Sequence, residues 1–297
     1  MSVAPSPADA ALHDDGFAPV PPRRWRWLRK NAALALGLAL LLLVTAVALA
    51  APWAATADPQ DIDPSARLLP PDAQHYFGTD ALGRDVFSRA LWGGRISLAV
   101  ALAVSALATS FGVLLGLVAG FVRWIDGPIM RVMDGLMAIP GILLAIALMA
   151  VTRASLTTVI VAITVPEIPR VVRLVRSLAL TLREQLFVEA AHAVGTRLPA
   201  ILSRHVLPNM MAPLFVQATF VAASAVLIEA SLSFLGVGVP AQTPSWGNMM
   251  AEGRNVVAVA FHIILYPGIL LAATVLAINM VGDGLRDALD PRLARQL

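Results

Sequence analysis

Long apolar runs alternate with shorter polar ones along this chain, and the apolar runs have the length of membrane-crossing helices. Residues 32–57 and 96–122 carry no charged side chain. Residues 135–152 follow Asp134 and are slightly short, which places the start of that span near Ile129. Residues 154–166 are shorter again and run into Pro166-Glu167-Ile168-Pro169; with Val171 and Val172 they form the weakest span. Residues 206–228 are uninterrupted, Glu229 then breaks a further apolar stretch to Val239, and residues 255–282 supply the last span. Crossing a bilayer takes about 20 mainly apolar residues. The pattern therefore predicts an all-α membrane protein of six transmembrane helices.

Residues 1–30 form an N-terminal tail; within it, residues 1–22 are rich in Pro, Ala and Asp without apolar period and are expected to be disordered. Residues 31–93 hold the first helix and an outside segment that opens with Asp58-Pro59 and Asp63-Pro64 turns. A signal peptide also joins a basic flank to an apolar stretch, and Ala48-Leu49-Ala50 resembles a cleavage site. Its apolar core is usually about 7–15 residues, however. The run here is longer, so an uncleaved helix is expected. No repeat of fixed period is apparent.

Orientation follows from the placement of cations. With the N-terminus in the cytoplasm, sixteen of the 22 Lys and Arg residues fall in inside segments. The remaining six, Arg67, Arg84, Arg89, Arg95, Arg153 and Arg254, fall outside. Loops rich in Lys and Arg stay in the cytoplasm, which predicts that both termini are cytoplasmic.

Composition narrows the chemistry. Of 297 residues, 58% are hydrophobic and 14% charged, against about 25% charged in a soluble domain; mean hydropathy is +0.76. Lipid is the main solvent implied. With no cysteine there is no disulfide, thiolate metal site or cysteine nucleophile. The net charge of +3 is small and scattered, which excludes nucleic acid as a partner. A P-loop needs a lysine behind glycines to hold phosphate, and the single lysine, Lys30, precedes Asn31. The five histidines show no metal-ligand spacing and no nucleophilic triad. No catalytic residue, cofactor or metal is expected in this chain.

Three local patterns stand out. Thr79 or Asp80 is placed to cap a short interfacial helix whose Phe87 and Leu91 share a face, with Trp92 at headgroup level. Gly112, Gly116 and Gly120 lie four apart on one helical face, a spacing that permits close helix contact, either within the chain or between copies. The third is the polar stretch 183–209. From Gln185 to Val194, Phe187, Val188, Val194 and alanines alternate with Glu184, Glu189 and His192, which predicts a short helix of mixed faces. Gly195 permits positive φ and ends it. A second helix is expected from about Pro199 to His205, before Pro208 leads into the next span. Two short helices joined at a glycine make a compact knob suited to a groove on another protein.

That stretch, with Glu189-Ala190-Ala191, Gly195 and Leu207-Pro208, resembles the cytoplasmic coupling loop of binding-protein-dependent ABC importer permeases. One departure is His205, where the general pattern has isoleucine. Gly78-Thr79-Asp80, Gly83-Arg84-Asp85 and Ser88-Arg89 resemble the dipeptide, oligopeptide and nickel permease family, in its C-type subunit. Arg131-Val132-Met133-Asp134, residues 229–236, residues 244–250 and residues 282–292 are similar to further motifs of that family, in the same order. The resemblance implies that residues 94–297 are a type I importer transmembrane domain of the methionine- and maltose-permease kind, with 183–209 as its ATPase-coupling loop. It further implies a homologous permease partner, two ATPase domains that use ATP and Mg, an extracytoplasmic binding protein, and a bacterial inner membrane. Peptides are the implied cargo; nickel chelates, glutathione or other peptide-like solutes are the alternatives. An ion-coupled secondary transporter would show internal repeats and broken mid-membrane helices and would leave the loop unexplained.

Intramembrane ionisable groups are functional candidates. Glu229, towards the outer end of the fifth span, is expected either on the translocation path or paired with a neighbouring helix. Asp134, one turn after Arg131, is expected to pair with it, and Glu167 to cap or salt-bridge near the inner end of its weak helix.

Overall fold

The computed structural model describes residues 32–152, 154–240 and 242–289. The tail 1–30, Arg153 and the C-terminal residues from Asp290 lie outside the described residues. The chain folds into helices α1 (Ala32–Leu49), α2 (Ala51–Ala54), α3 (Val86–Phe121), α4 (Arg123–Met137), α5 (Gly141–Val151) and α6 (Leu156–Arg183). There follow α7 (Leu186–Ala193), α8 (Leu198–Ile201), a π turn (Leu202–Val206), α9 (Leu207–Phe234), α10 (Trp246–Gly253) and α11 (His262–Leu289). No named strand occurs among the described residues.

Four elements are long and apolar enough to cross a membrane: α1, α3, the continuous run Leu198–Phe234, and α11. The expected third span is instead two helices, α4 and α5, bent by 89° and a fifth crossing only if taken together. Proline explains the bend. Pro140 has no N–H to donate and disfavours helical geometry at the residue before it, and it stands as the N-cap of α5. The weak fourth span also differs. α6 does not stop near Val172 but carries on to Arg183, so Arg170, Arg173 and Arg176, counted above with the inside segments, belong to a helix rather than to a loop. Its charges, Glu167, Arg170 and Arg173 within the first 18 residues, set it apart from the apolar spans. The six expected spans thus resolve into four apolar helices, one bent pair and one long polar helix.

α3 and α6 meet along a glycine face. A Cβ added at Gly112 would lie 2.4 Å from that of Val171, at Gly116 2.6 Å from that of Val175, and at Gly120 2.6 Å from that of Ala179. Both helices present small or β-branched residues every four positions, so their backbones approach closely. α1 packs against α11 in the same manner, with Gly37 against Met280 and Gly284 against Leu34. Beside this seam, Asp134 pairs with Arg173 at 2.6 Å rather than with Arg131, and Arg176 grips Asp126 through two nitrogens. The neighbouring helix offers a better-placed cation than the same helix does.

Filling the glycine face is expected to be costly. Gly116→Leu should destabilise the detergent-solubilised protein by about 1–3 kcal/mol or more, as overpacking does. Gly127→Ala, where an added Cβ meets nothing within 4 Å, should not. Thermal unfolding followed by loss of monodisperse protein checks both.

Candidate functional site

The stretch expected to meet a partner forms a knob with a buried root and an open tip. Val188 and Ala191 of α7 turn inward, the latter 8% exposed, into the core that also holds Ile201 and Val206. α7 then ends as its sequence requires. Gly195 takes φ +79°, its N–H reaches the His192 carbonyl at 2.9 Å, and the Thr196 N–H reaches that of Ala191 at 3.0 Å. This paired closure satisfies carbonyls at the helix end. Leu186 and Val194 are left 82% and 80% exposed, with Phe187, Glu189 and Ala190 also on the surface.

The second half of the knob differs from a separate helix over 199–205. α8 passes into the π turn and the turn into α9 without a break. Pro208 cannot donate to the carbonyl of Arg204 four residues earlier, so the ladder widens; the Leu207 N–H reaches back to Leu202. The Asn209 side chain donates to the His205 carbonyl at 2.6 Å, and the His205 ring tilts against Phe187 with centroids 6.5 Å apart. Of the residues singled out in the sequence, Glu189, Ala190, Gly195 and Pro208 are exposed, Ala191 is buried and Leu207 is half-buried. Leu186 was not singled out, and Val194 only as part of the helix pattern. Their only signal is that they are apolar residues at the two ends of an eight-residue helix.

At the other end of the molecule the Gly-Thr-Asp and Gly-Arg-Asp motifs build a clasp. The cap of α3 is Asp85, not Thr79 or Asp80. Its carboxylate accepts the Ser88 N–H at 2.8 Å and the Thr56 hydroxyl at 2.9 Å, and lies 3.0 Å from Nδ1 of His75. Thr79 is occupied elsewhere, donating to the Ala66 carbonyl and accepting from the Leu69 N–H. Asp80 accepts from Arg84 Nε at 2.7 Å and from Arg89. Glu252 of α10 accepts from both arginines at 2.6 Å. Two cations and two anions neutralise one another where Asp80, Arg84 and Arg89 are buried. No separate interfacial helix precedes the second span; α3 runs unbroken from Val86. α10 is pinned beside it. The Trp246 indole donates to the Ala90 carbonyl at 3.0 Å, and the Asn248 amide donates to the carbonyls of Val239, Pro240 and Thr243.

Glu229 is fully buried, accepting the Ser97 hydroxyl of α3 at 3.3 Å and the Ser233 hydroxyl at 2.9 Å. Of the two places expected for it, this is contact with a neighbouring helix. Glu167 lies midway along α6, where it accepts the Ser224 hydroxyl of α9 at 3.0 Å and faces Arg170 at 3.3 Å. Among the described residues no group of three His, Asp or Glu side chains is placed to hold a metal.

Residues 112–295 match the family model described as binding-protein-dependent transport system inner membrane component, and residues 23–71 match the N-terminal TM domain of oligopeptide transport permease C. The chain is 52% identical over 250 residues to a probable peptide ABC transporter permease protein of Sinorhizobium fredii, covering 84% of this chain and 86% of that one. It is 45% identical over 293 residues to a putative peptide transport system permease protein of Brucella suis, covering 99% of each. Among solved structures, an inward-facing MetNI methionine ABC transporter superposes with TM-score 0.57 at 20% identity, covering 67% of this chain and 94% of that one. The fold is that of a type I importer permease.

The clasp carries a stability prediction. Arg89→Ala strips Asp80 and Glu252 of a shared cation, and breaking a buried ion pair from one side costs about 3–5 kcal/mol. The variant should fail to accumulate as folded protein, while Arg95→Ala, whose guanidinium stacks on Trp92 at 4.8 Å, should accumulate normally. Size-exclusion profiles of solubilised membranes decide it.

Proposed function

We propose that this chain, which belongs to the family of binding-protein-dependent transport system inner membrane components, is the permease subunit of an ATP-driven importer of dipeptides or oligopeptides. It forms the translocation path with a homologous permease. An extracytoplasmic binding protein delivers the solute, and two ATPase domains hydrolyse ATP with Mg on the cytoplasmic side. Both termini and residues 183–209 face the cytoplasm, and residues 58–92 and 240–254 face outside. Residues 1–30 act as a tail, 31–93 as an added helix and outside segment, and 94–297 as the transport domain.

The observation that carries this reading is the knob. An apolar tip at Leu186 and Val194, standing free beside Glu189, has the character of a partner surface rather than of a solvated loop. Its root continues through α8 and the π turn into α9 as one rod of 37 residues. A change in the spacing of the ATPases, received at the tip, is thereby passed to a spanning helix. Peptide cargo is supported by the relatives, which are peptide transport permeases by name, and a glutathione or nickel-chelate cargo would show as the ligand of the cognate binding protein.

Two experiments test the reading. Single cysteines at Gln185, Gln74 and Gln242 in this cysteine-free chain should be labelled by an impermeant reagent in intact cells at 74 and 242 only. Labelling at 185 without permeabilisation overturns the orientation. In the purified complex, Gly195→Val strains a positive φ that a branched side chain resists, Glu189→Lys reverses the charge of the tip, and Leu186→Asp removes its apolar anchor. Each should lower ATPase-subunit retention or uptake about tenfold, the scale of a lost interface anchor, while solute affinity of the binding protein stays constant. Wild-type retention, turnover and uptake in all three would remove the coupling assignment.

A further inference from the structure

α6 differs from its neighbours in what it exposes. α3 presents Leu102, Leu107, Phe111 and Leu114, and α1 presents Leu36, Leu42 and Leu43; such faces suit lipid. From its midpoint to its C-terminal end, α6 exposes Arg170, Arg173, Ser177 and Thr181, all polar. Their spacing of three or four residues puts them on one side of the helix, away from the side that Val171, Val175 and Ala179 press into the glycines of α3.

Depth makes this face significant. Arg170 stands fourteen residues from Leu156 and thirteen from Arg183, hence about 20 Å from either end of the helix. That is near the middle of a hydrocarbon core about 30 Å thick. A charged side chain at such depth faces a bundle interior or water, because lipid cannot solvate it. Arg170 is nevertheless 59% exposed. Arg173, by contrast, is engaged by Asp134 at 2.6 Å. The single ionic partner of Arg170 among the described residues is Glu167 at 3.3 Å, and Glu167 is also held by Ser224. A second observation lies alongside. A cleft of 490 Å³ opens between α6, α9 and α11, lined by Leu174, Pro213, Gln217, Phe220 and Arg286, and Leu174 shares the helix side of Arg170 and Ser177.

Resting on the reading of the chain as a peptide permease, we infer that this polar face of α6 walls the cytoplasmic half of the aqueous path, and that Arg170 receives the free α-carboxylate of the passing peptide. A guanidinium presents a planar fork that matches a carboxylate. Glu167 holds it in place through one nitrogen, which donates to both carboxylate oxygens at 3.4 and 3.3 Å, and leaves donors for a second carboxylate. The pair is neutral at rest, so the passing anion meets a hydrogen-bonding position rather than an unopposed charge. That suits a station from which the solute must also depart.

The test uses the complete transporter in nanodiscs, open to reagent from both sides, with single cysteines in this chain and cysteine-free partners. Cysteines from Ser177→Cys and Thr181→Cys should react with both an anionic and a cationic methanethiosulfonate; those from Phe111→Cys and Leu114→Cys should not. With Ser177→Cys as background, Arg170→Gln should lower the anionic-to-cationic rate ratio about tenfold, as expected for a unit charge about 10 Å away, whereas Arg170→Lys should preserve it. Shielding of positions 177 and 181, by the partner permease or by lipid, overturns the inference, and so does a ratio that Arg170→Gln leaves unchanged. Peptide uptake by the wild-type complex is scored in liposomes in parallel. Its absence counts against the cargo and with it the carboxylate, whereas shielded cysteines in an importing complex count against the wall alone.

Discussion

The close seam between α3 and α6 sets the conditions for the rest of the structure. Apolar helices in lipid gain nothing from hiding their surfaces from one another, since the surrounding tails are equally apolar, and fit becomes the deciding term. Gly112, Gly116 and Gly120 accept Val171, Val175 and Ala179 at distances that no other residue would permit. This fit fixes the rotation of α6 about its axis. At about 100° per residue, Arg170, Arg173 and Ser177 then lie roughly 160° around the helix from the seam. A glycine face on one helix thereby decides which way the charges of another must point.

The two ends of the molecule are built on opposite plans. At one end, the clasp closes a charge-balanced cluster over a buried floor, with Trp246 and Asn248 pinning α10 through main-chain carbonyls. Little there is free to move without leaving a donor or an ion unpaired. At the other, α7 has a short buried root and a bare apolar tip, and past Gly195 the chain continues as a single rod. Near the far end of that rod Glu229 accepts the Ser97 hydroxyl, which ties α9 to α3. The bundle is cross-tied at one end and bare at the other.

Legibility in the sequence followed how local each decision is. The end of α7 at Gly195 was readable because a helix C-terminus is settled by the residue that must take positive φ. The cap of α3 was not, because Thr79, Asp80 and Asp85 are all chemically able. Contacts with Thr56 and Ala66, distant in the chain, assign them. The end of α6 was likewise misplaced, since a helix that packs on one side and carries Arg170 and Arg173 on the other interrupts its apolar residues with charges that read as the start of a loop. The partner of Asp134 was missed for the same reason. Arg131 is near in sequence, but Arg173 arrives on a neighbouring helix. Glu252 had no sequence signal as the counterion of Arg84 and Arg89.

The packing of α1 against α11 has a consequence in time. His262 follows Leu49 by 213 residues, and ribosomes add about 5–20 residues per second. The first helix therefore waits roughly 10–40 s after its own synthesis before the surface that receives Gly37 and Leu34 begins to emerge. During that interval its one early neighbour is α3, whose Gly94 meets Ala48, and the side that α11 will cover faces lipid. Its sequence suits such a wait, with a mean hydropathy of 2.7 against 1.9 to 2.3 for the other three apolar spans. A nascent chain of this kind must be tolerable to the bilayer while half of its first helix is still uncovered, and quality control that senses incomplete packing would find this helix hard to recognise.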